Sequence, residues 1–258
     1  MKDMDTDKKI AVLIDAENAS YKKMDAVMAE LSKHGHLLVK RAYGDFSSPH
    51  LTKWKQPLHE LAIKTEHQYA FTKGKNSSDA VMVIDAMDLL YTNRFDAFAL
   101  VTSDSDFTSL ALRLKESEIY VFGVGEEKTP KAFRSACDDF ILTELLETPD
   151  EEEPPAKNNT KKTSRKAPAR ASQKQQELKQ DAKLVKILRN AVDETADDDG
   201  WARASTCGSL VKRQYSDFDP RNYGFKTFPS LYEGIGLFET DRRTTGSGNT
   251  MYVKDKKK

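Results

Sequence analysis

"LVTSDSDFTSL", residues 100–110, joins an apolar run to two carboxylates and then returns to apolar residues. The apolar run begins at Phe98 and is typical of a buried strand, and Asp104 and Asp106 follow it directly. Removing carboxylates from water costs free energy unless another group compensates them. The position of these two acids therefore indicates either capping of a following helix or a binding site at the edge of a sheet.

Strand-like and helix-like segments alternate on both sides of this stretch, from residue 8 to residue 146. The strand-like runs are almost continuously apolar, which is typical of strands buried on both faces. The segments between them place apolar residues at helical spacing, as Met24, Val27 and Leu31 do. The predicted strands are 9–15, 36–45, 67–72, 96–103 and 118–125, with a last strand or edge at 139–146. The predicted helices are 21–35, 77–93, 106–117 and 129–138, and residues 49–65 predict either one helix or two short helices around Pro57.

Strands separated by helical crossovers predict an α/β fold, a doubly wound and mainly parallel sheet with helices on both faces. In such a sheet, ligands bind beyond the carboxyl ends of the strands, where the strand order reverses. With the order 3-2-1-4-5, the first and fourth strands are neighbours at that point. No glycine-rich phosphate loop follows the first strand, so the sequence does not support a nucleotide-cofactor fold.

Four carboxylates are predicted to meet at this point of the sheet. Asp15 ends the first strand, and Asp104 ends the fourth. Asp106 lies two residues further on, and Asp79 begins the helix that precedes the fourth strand. Four converging negative charges repel one another unless a cation neutralises them. Carboxylate oxygens suit hard cations, so we predict that these acids bind Mg²⁺ or Mn²⁺.

Each acid also has a purely structural explanation. Asp104 or Asp106 could cap a helix. Asp79 could complement a helix dipole, and Asp15 could be a turn residue. The occurrence of all four acids at one end of the sheet favours metal binding. Asp85, six residues after Asp79, is predicted to lie on the solvated or flanking face of its helix.

Three segments resemble, in order and approximate spacing, the signature blocks of the NYN domain. They are VLIDAEN at 12–18, KNSSDAVMVIDAM at 75–87 and LVTSDSDF at 100–107. The NYN domain is a branch of the PIN-like nuclease superfamily, and the LabA-like bacterial proteins are the group that this chain resembles. The resemblance covers residues 8–146 and implies a PIN-like nuclease fold.

The resemblance also implies roles for individual residues. In the family, the acids that match Asp15, Asp79 and Asp104 hold the catalytic metal. The same blocks add further members to the candidate catalytic site, which are Asp106 as a fourth metal ligand, Asn18 and Ser103. The segment before the helix is KGKNSSD here, where the family often has KGVD. This longer segment carries Lys73 and Lys75, which either contact substrate phosphates or form a solvated pair in a loop.

The expected chemistry is hydrolysis of RNA phosphodiesters by a metal-dependent ribonuclease, a hydrolase. Two other functions remain open at this point. The chain could be a non-catalytic regulator that binds RNA or a protein partner. It could also be a nuclease that acts on DNA, because carboxylate-held metals do not distinguish the two sugars. A homodimer is open as well, since some PIN-like domains pair.

Residues 181–258 predict a second domain. Helices at 181–197, 202–215 and 227–236 precede a hairpin at 237–255, which is the order of a winged helix.

Three short segments of this domain resemble the OST-HTH module, also called LOTUS, over residues 182–254. They are DGW before the second helix, FDPRNYGFKTF before the third, and LFE at the start of the hairpin. The resemblance implies a module that binds RNA or, in some members, a protein partner. Trp201 and Phe218 are predicted to be core residues rather than base-stacking platforms. Candidate RNA contacts are Lys212, Arg213, Arg221, Lys226, Arg242 and Arg243.

Composition bounds the remaining properties. Residues 147–180 are rich in charge, Pro, Ser and Gln, which predicts a flexible charged linker between domains at 1–146 and 181–258. The two cysteines, Cys137 and Cys207, are too few and too far apart for a disulfide framework. The first residues lack the apolar core of a signal peptide, and no apolar run approaches the about 20 residues of a membrane span. We therefore expect a soluble, cytoplasmic protein that does not enter a membrane.

Overall fold

The computed structural model describes residues 8–67, 77–146, 178–245 and 248–257. The chain divides into two compact units, an N-terminal one and a C-terminal one, and each is described by itself. Among the described residues, no helix is long and apolar enough to cross a membrane.

The N-terminal unit is built on a six-stranded sheet in the order β3-β2-β1-β4-β5-β6. Every neighbouring pair of strands is parallel. The predicted doubly wound parallel sheet is therefore confirmed, and the segment at 139–146 contributes its sixth strand. The strands are β1 (Lys9–Asp15), β2 (His36–Gly44), β3 (Lys64–His67), β4 (Ala97–Val101), β5 (Tyr120–Gly125) and β6 (Asp139–Leu142).

Helices cover both faces of this sheet. They are α1 (Met24–Ser32), α2 (Lys55–Glu60), α3 (Ser77–Tyr91), α4 (Thr108–Glu116) and α5 (Lys131–Ala136). Alternate residues of β1 enter two separate cores: Ile10 and Val12 pack on the side of α1 and α2, and Leu13 packs on the side of α3, α4 and α5. All three side chains are fully buried. The continuous apolar run of β1 therefore has a direct physical cause in burial on both faces.

The segment between β2 and β3 forms two short helices, which is one of its two predicted forms. A 3₁₀ helix at Pro49–Trp54 leads into the short α2, so the division falls before Lys55 and not at Pro57. Ala62, with φ at +49°, turns the chain out of α2 and into β3. β3 begins at Lys64, earlier than the predicted strand at 67–72, and residues 68–72 of that prediction lie outside the described residues. β3 is polar because it forms the edge of the sheet, and this polarity hid it from a search for apolar runs.

The described part of the C-terminal unit combines helices with a three-stranded antiparallel sheet in the order β7-β9-β8. The helices are α6 (Ala182–Thr195), α7 (Ala204–Gln214) and α8 (Phe228–Ile235). The strands are β7 (Ala202–Arg203), β8 (Phe238–Thr245) and β9 (Gly248–Asp255). The predicted winged-helix order is present, and the two-residue β7 adds a strand to the predicted hairpin. Leu178 is buried in this core, three residues before the predicted start of the domain at 181.

Candidate metal centre

The carboxyl ends of β1 and β4 lie side by side in the sheet. Ile14 of β1 is paired with Val101 of β4, so the residues that follow both strands emerge at the same edge. Asp15 is the last residue of β1, and Asp104 lies three residues after the end of β4. The strand order thus places these two acids at the point where chain connections run in opposite directions.

Three carboxylates come together at this edge. One oxygen each from Asp79, Asp104 and Asp106 lies within 4.8 Å of the other two. Asp79 and Asp104 are half-buried, and Asp106 is exposed. Three carboxylate oxygens at this separation match the donor preference of Mg²⁺, Mn²⁺ or Ca²⁺, which take oxygen ligands and retain waters.

Asp79 carries the electrostatic signature of this cluster. Burial, together with the charges of the nearby acids Asp15, Asp104, Glu17 and Asp106, raises the pKa of Asp79 to about 6. In the absence of a cation, the unit therefore holds a carboxyl group that keeps its proton to a higher pH than an ordinary aspartate does. A bound divalent cation would remove the cause of this resistance, so the donor set and its charge both fit a metal ion.

Asp104 caps a helical turn, one of the two roles predicted for it. It is the N-cap of the 3₁₀ turn Ser105–Phe107, and its Oδ1 accepts the backbone N–H of Asp106 at 2.9 Å. A carboxylate has more lone pairs than this one bond uses. The capping bond therefore orients Asp104 towards the cluster without excluding it from metal binding.

Asp15 is not one of the three clustered acids. It is 2% exposed, and its oxygens accept four hydrogen bonds. The donors are the backbone N–H groups of Glu17 (3.1 Å) and Asn18 (3.2 Å), the Asn18 side-chain amide (2.9 Å) and the Thr102 hydroxyl (2.8 Å). Burial raises the pKa of Asp15, and these hydrogen bonds act in the opposite direction. Metal binding by Asp15 stays a prediction. Asn18 orients the Asp15 carboxylate through its backbone N–H and its side-chain amide.

Thr102 is a functional candidate that the sequence alone did not predict. Its hydroxyl donates to Asp15 and accepts the backbone N–H of Asp104 at 3.1 Å. The side chain is 1% exposed, and the backbone N–H of Thr102 donates to Val124 of β5. Thr102 thus joins the acid of β1 to the acid that follows β4. The two hydroxyl residues directly before Asp104 were the available signal, but the family resemblance implies a role only for Ser103.

Ser103 connects two loops beside the cluster, and its catalytic role stays a prediction. Its Oγ accepts the backbone N–H of Glu126 at 3.0 Å and so holds the loop after β5 beside Asp104. A cleft of about 450 Å³ opens between these two segments. Its polar lining residues are Glu17, Asn18, Ser20, Ser103, Asp104, Ser105, Glu126 and Lys128.

Glu17 is a second functional candidate that the sequence alone did not predict. Its carboxylate accepts the Ser78 hydroxyl at 3.2 Å and the backbone N–H of Asp45 at 3.4 Å. Glu17 therefore ties the start of α3, where Asp79 lies, to the loops after β1 and β2. Its position directly after the Asp15-Ala16 pair was visible in the sequence, but its partners lie far away in the chain.

Asp85 corrects a further prediction. It does not lie on a solvated face of α3 but points at β2, where it accepts hydrogen bonds from Arg41 and from the hydroxyl of Tyr43. Tyr43 is 1% exposed, and burial raises the pKa of its hydroxyl. This network anchors α3, the helix that carries Asp79, to the sheet.

The basic residues predicted to contact RNA are scattered. Lys73 and Lys75 lie outside the described residues. Those of the C-terminal unit are distributed over several elements: Lys212 and Arg213 in the last turn of α7, Arg221 paired with Asp219, Lys226 before α8, Arg242 paired with Glu233 and Arg243 paired with Asp241. Phe218 is a core residue as predicted, whereas Trp201 is only half-buried.

Comparisons with known proteins agree with this architecture. The NYN domain model matches residues 9–146, and the OST-HTH/LOTUS domain model matches residues 178–250. No curated protein matches the chain. A crystal structure of a protein of unknown function from Vibrio parahaemolyticus RIMD 2210633 is similar at 19% sequence identity, with a TM-score of 0.45, and the match covers 55% of this chain and 96% of that one. At that TM-score the similarity adds nothing to the argument.

Replacing Thr102 with valine should destabilise the N-terminal unit. Valine keeps the shape of the side chain but leaves a buried Asp15 oxygen without its hydroxyl donor, which costs about 1–3 kcal/mol of unfolding free energy. Urea unfolding of the metal-free protein measures this difference. Thr102→Ser is the matched control, because it keeps the hydroxyl and should retain most of the stability. Equal stability of the valine variant and the wild type would contradict the linking role of Thr102.

Proposed function

This chain belongs to the NYN domain family, and from this membership we propose that it is a metal-dependent ribonuclease. NYN is a nuclease domain family, and the OST-HTH/LOTUS domain adds an RNA-binding module. The observation that carries the proposal is the cluster of Asp79, Asp104 and Asp106 at the carboxyl edge of the sheet. RNA rather than DNA is proposed as the substrate because of the second module.

The three clustered acids are the residues that would hold Mg²⁺ or Mn²⁺. When bound, the cation supplies charge neutralisation at the scissile phosphate and lowers the pKa of a bound water. Asp15 and Thr102 contribute by fixing the backbone that presents Asp104. The adjacent cleft has the size of a small ligand site and is lined with hydroxyl, amide and carboxylate groups that can form hydrogen bonds with the hydroxyls of a ribose.

Lys128 is the basic residue that lines this cleft. Its Nζ lies 2.7 Å from Glu126, and 74% of its side chain is exposed. A flexible, solvated ammonium group can leave such a surface partner at low cost and contact a phosphate. We propose that Lys128 contacts the RNA backbone beside the clustered acids.

Asp104→Asn should abolish RNA cleavage. Asparagine caps helical turns as well as aspartate does, so the turn Ser105–Phe107 should persist while one negative metal ligand is lost. Wild type and variant are incubated with single-stranded RNA, double-stranded RNA and single-stranded DNA, each with Mg²⁺, Mn²⁺ or EDTA. We expect metal-dependent cleavage of RNA by the wild type only, with the variant at the level that EDTA gives.

Asp88→Asn is the control for this assay. Asp88 is an exposed acid of α3, nine residues after Asp79 and therefore about 13 Å further along the helix. The Asp88→Asn variant should cleave RNA as the wild type does. Full metal-dependent cleavage by Asp104→Asn would refute the proposed site, and cleavage of DNA alone would refute the substrate. RNA binding without cleavage would leave a non-catalytic regulator.

The affinity for the metal should depend on pH. Because the pKa of Asp79 is raised to about 6, a proton competes with the cation below that pH and is released when the cation binds. Affinity should fall up to about tenfold for each pH unit below the pKa and level off above it. Calorimetric titration with Mn²⁺ between about pH 5 and pH 8, in two buffers of different ionisation enthalpy, measures both the affinity and the released proton. An affinity that does not change with pH would contradict the shared position of Asp79 in the cluster.

A further inference from the structure

One face of the C-terminal sheet carries aromatic and basic side chains instead of core residues. In β9, Met251 and Val253 face the core and are buried, so Tyr252 between them faces outward. Arg203 of β7 is paired with Tyr252 on one side, and Asp241 of β8 is paired with it on the other. This outward surface, with Trp201, Arg203, Asp241, Arg243 and Tyr252, is called the outer sheet face.

The aromatic and basic groups of the outer sheet face are stacked on one another. The guanidinium carbon of Arg243 lies 4.4 Å from the centre of the Tyr252 ring and 5.1 Å from that of Trp201. The guanidinium of Arg203 lies 5.8 Å from the Tyr252 ring, and its Nε donates to the Tyr252 hydroxyl at 3.0 Å. Two rings and two planar cations thus form a continuous ladder across three elements.

The core does not account for this ladder. Trp201 and Tyr252 are half-buried, Arg203 is exposed, and 41% of the Arg243 side chain is exposed. The interior of the unit is closed by other aromatic residues, Phe218, Tyr232 and Phe238. Large aromatic rings left at the surface beside arginines are typical of surfaces on which unpaired bases stack.

We propose that the outer sheet face binds single-stranded RNA, with unpaired bases stacked on the ladder of Trp201, Arg243 and Tyr252. This inference rests on the proposed function, because it takes RNA as the substrate of the chain. Paired bases are already stacked within a duplex, so the face selects single strands. Exposed Arg203 lies at the end of the ladder, where it can meet a phosphate.

The nearly balanced charges on this face allow base stacking to be distinguished from purely electrostatic binding by its salt dependence. Asp241 accepts the Nε–H of Arg243 at 2.8 Å, and Asp197 adds negative charge nearby. These acids offset the arginines, so few counterions are released when RNA binds. The affinity should therefore depend only weakly on salt, with a logarithmic slope near about −1 to −2.

Two neighbouring arginines of β8 provide a matched pair for the test. Both were predicted from the sequence to contact RNA, but only Arg243 belongs to the ladder. Arg242 points to the other side of the strand and pairs with Glu233 of α8 at 2.9 Å, so the inference removes it from the RNA-binding surface. Both variants, Arg243→Gln and Arg242→Gln, remove one positive charge. Only the first removes a stacked group, so equal losses of affinity would indicate charge and unequal losses would indicate the ladder.

The experiment uses the full chain with Asp104→Asn and EDTA, so that RNA stays intact. The chain has two tryptophans, and Trp54 is buried in the N-terminal unit, so Trp54→Phe leaves Trp201 as the only tryptophan. Single-stranded RNA of about 12 nucleotides, or a duplex of the same length, is added while Trp201 fluorescence and binding anisotropy are recorded. We expect quenching of Trp201 by the single strand, a loss of affinity of about tenfold in Arg243→Gln and less than about twofold in Arg242→Gln.

Each other outcome overturns this inference. Equal affinities of both glutamine variants, or unchanged Trp201 fluorescence at saturating RNA, would place RNA on another surface and leave this face to a protein partner. Equal binding of the duplex would exclude base stacking. Because the assay needs no cleavage, a failure of the nuclease proposal leaves the result intact. Conversely, cleavage in the separate assay without binding here would overturn this inference alone.

Discussion

Replacing Asp79 with asparagine should abolish metal-dependent cleavage and stabilise the metal-free protein at the same time. Removing a residue that hydrogen-bonds to a metal ligand typically lowers metal affinity or activity about 10–100-fold. Removing a direct ligand should therefore lower the activity at least about 100-fold. The opposite effect on stability follows from the position of Asp79. A carboxylate surrounded by Asp15, Asp104, Glu17 and Asp106 is repelled by its neighbours until a cation arrives.

The sign of the stability effect depends on pH. Asp79 has a folded-state pKa of about 6 and an ordinary value of 3.8, so the folded state binds the proton more tightly. The favourable contribution of Asp79 to the unfolding free energy is complete below the ordinary pKa of 3.8 and is lost as pH rises through about 6. Above that pH, the ionised group destabilises the metal-free fold. Because Asp79 is only partly buried and solvent screens its neighbours, the gain from asparagine at neutral pH should be about 1 kcal/mol.

Thermal unfolding with EDTA at about pH 7.5 and at about pH 4, together with the cleavage assay, measures both effects. We expect a higher melting temperature for Asp79→Asn at the higher pH and a smaller difference at the lower one. Asp88→Asn is again the control on the same helix and should match the wild type in both assays. A variant that is less stable than the wild type in EDTA at the higher pH would show that Asp79 is a structural group rather than a repelled ligand.

The sheet and its acidic edge could be predicted because local patterns encode them. The apolar runs of β1 and β4 identify buried parallel strands, and parallel strands end at one edge, so Asp15 and Asp104 had to lie close together. The acid at the start of α3 followed from the same topology. These inferences need only periodicity and chain order, and they do not depend on the direction of any single side chain.

The contacts that hold the site could not be predicted, because they depend on register and side-chain direction. Thr102 meets Asp15 only because Ile14 and Val101 are paired, and a shift of one residue would turn the hydroxyl to the other face. Asp85 contacts Arg41 and Tyr43, which lie 44 and 42 residues before it in the sequence, respectively. The surface of α3 alone gave no sign of these partners, so Asp85 was wrongly placed on a solvated or flanking face.

Asp85→Ala should cause the largest loss of stability among the substitutions considered. It leaves the hydroxyl of Tyr43, whose side chain is 1% exposed, without its acceptor. Arg41 then keeps the longer contact of its Nε with Glu66, at 3.8 Å. Breaking a buried pair by removing one partner costs about 3–5 kcal/mol, and since both side chains retain some exposure we expect about 2–4 kcal/mol. Because α3 carries Asp79, cleavage should fall as well.

A double-mutant cycle with Tyr43→Phe distinguishes an anchoring network from simple loss of helix packing. In the Asp85→Ala background, Tyr43→Phe removes the orphaned hydroxyl, so it should cost less than it does in the wild type. The cycle is measured by urea unfolding with Trp201→Phe, which leaves buried Trp54 as the tryptophan that reports on the N-terminal unit. Asp88→Ala controls for loss of an acid from the same helix. Additive costs within about 0.5 kcal/mol would contradict the network, and the position of Asp79 would then rest on the contacts of Glu17 with Ser78 instead.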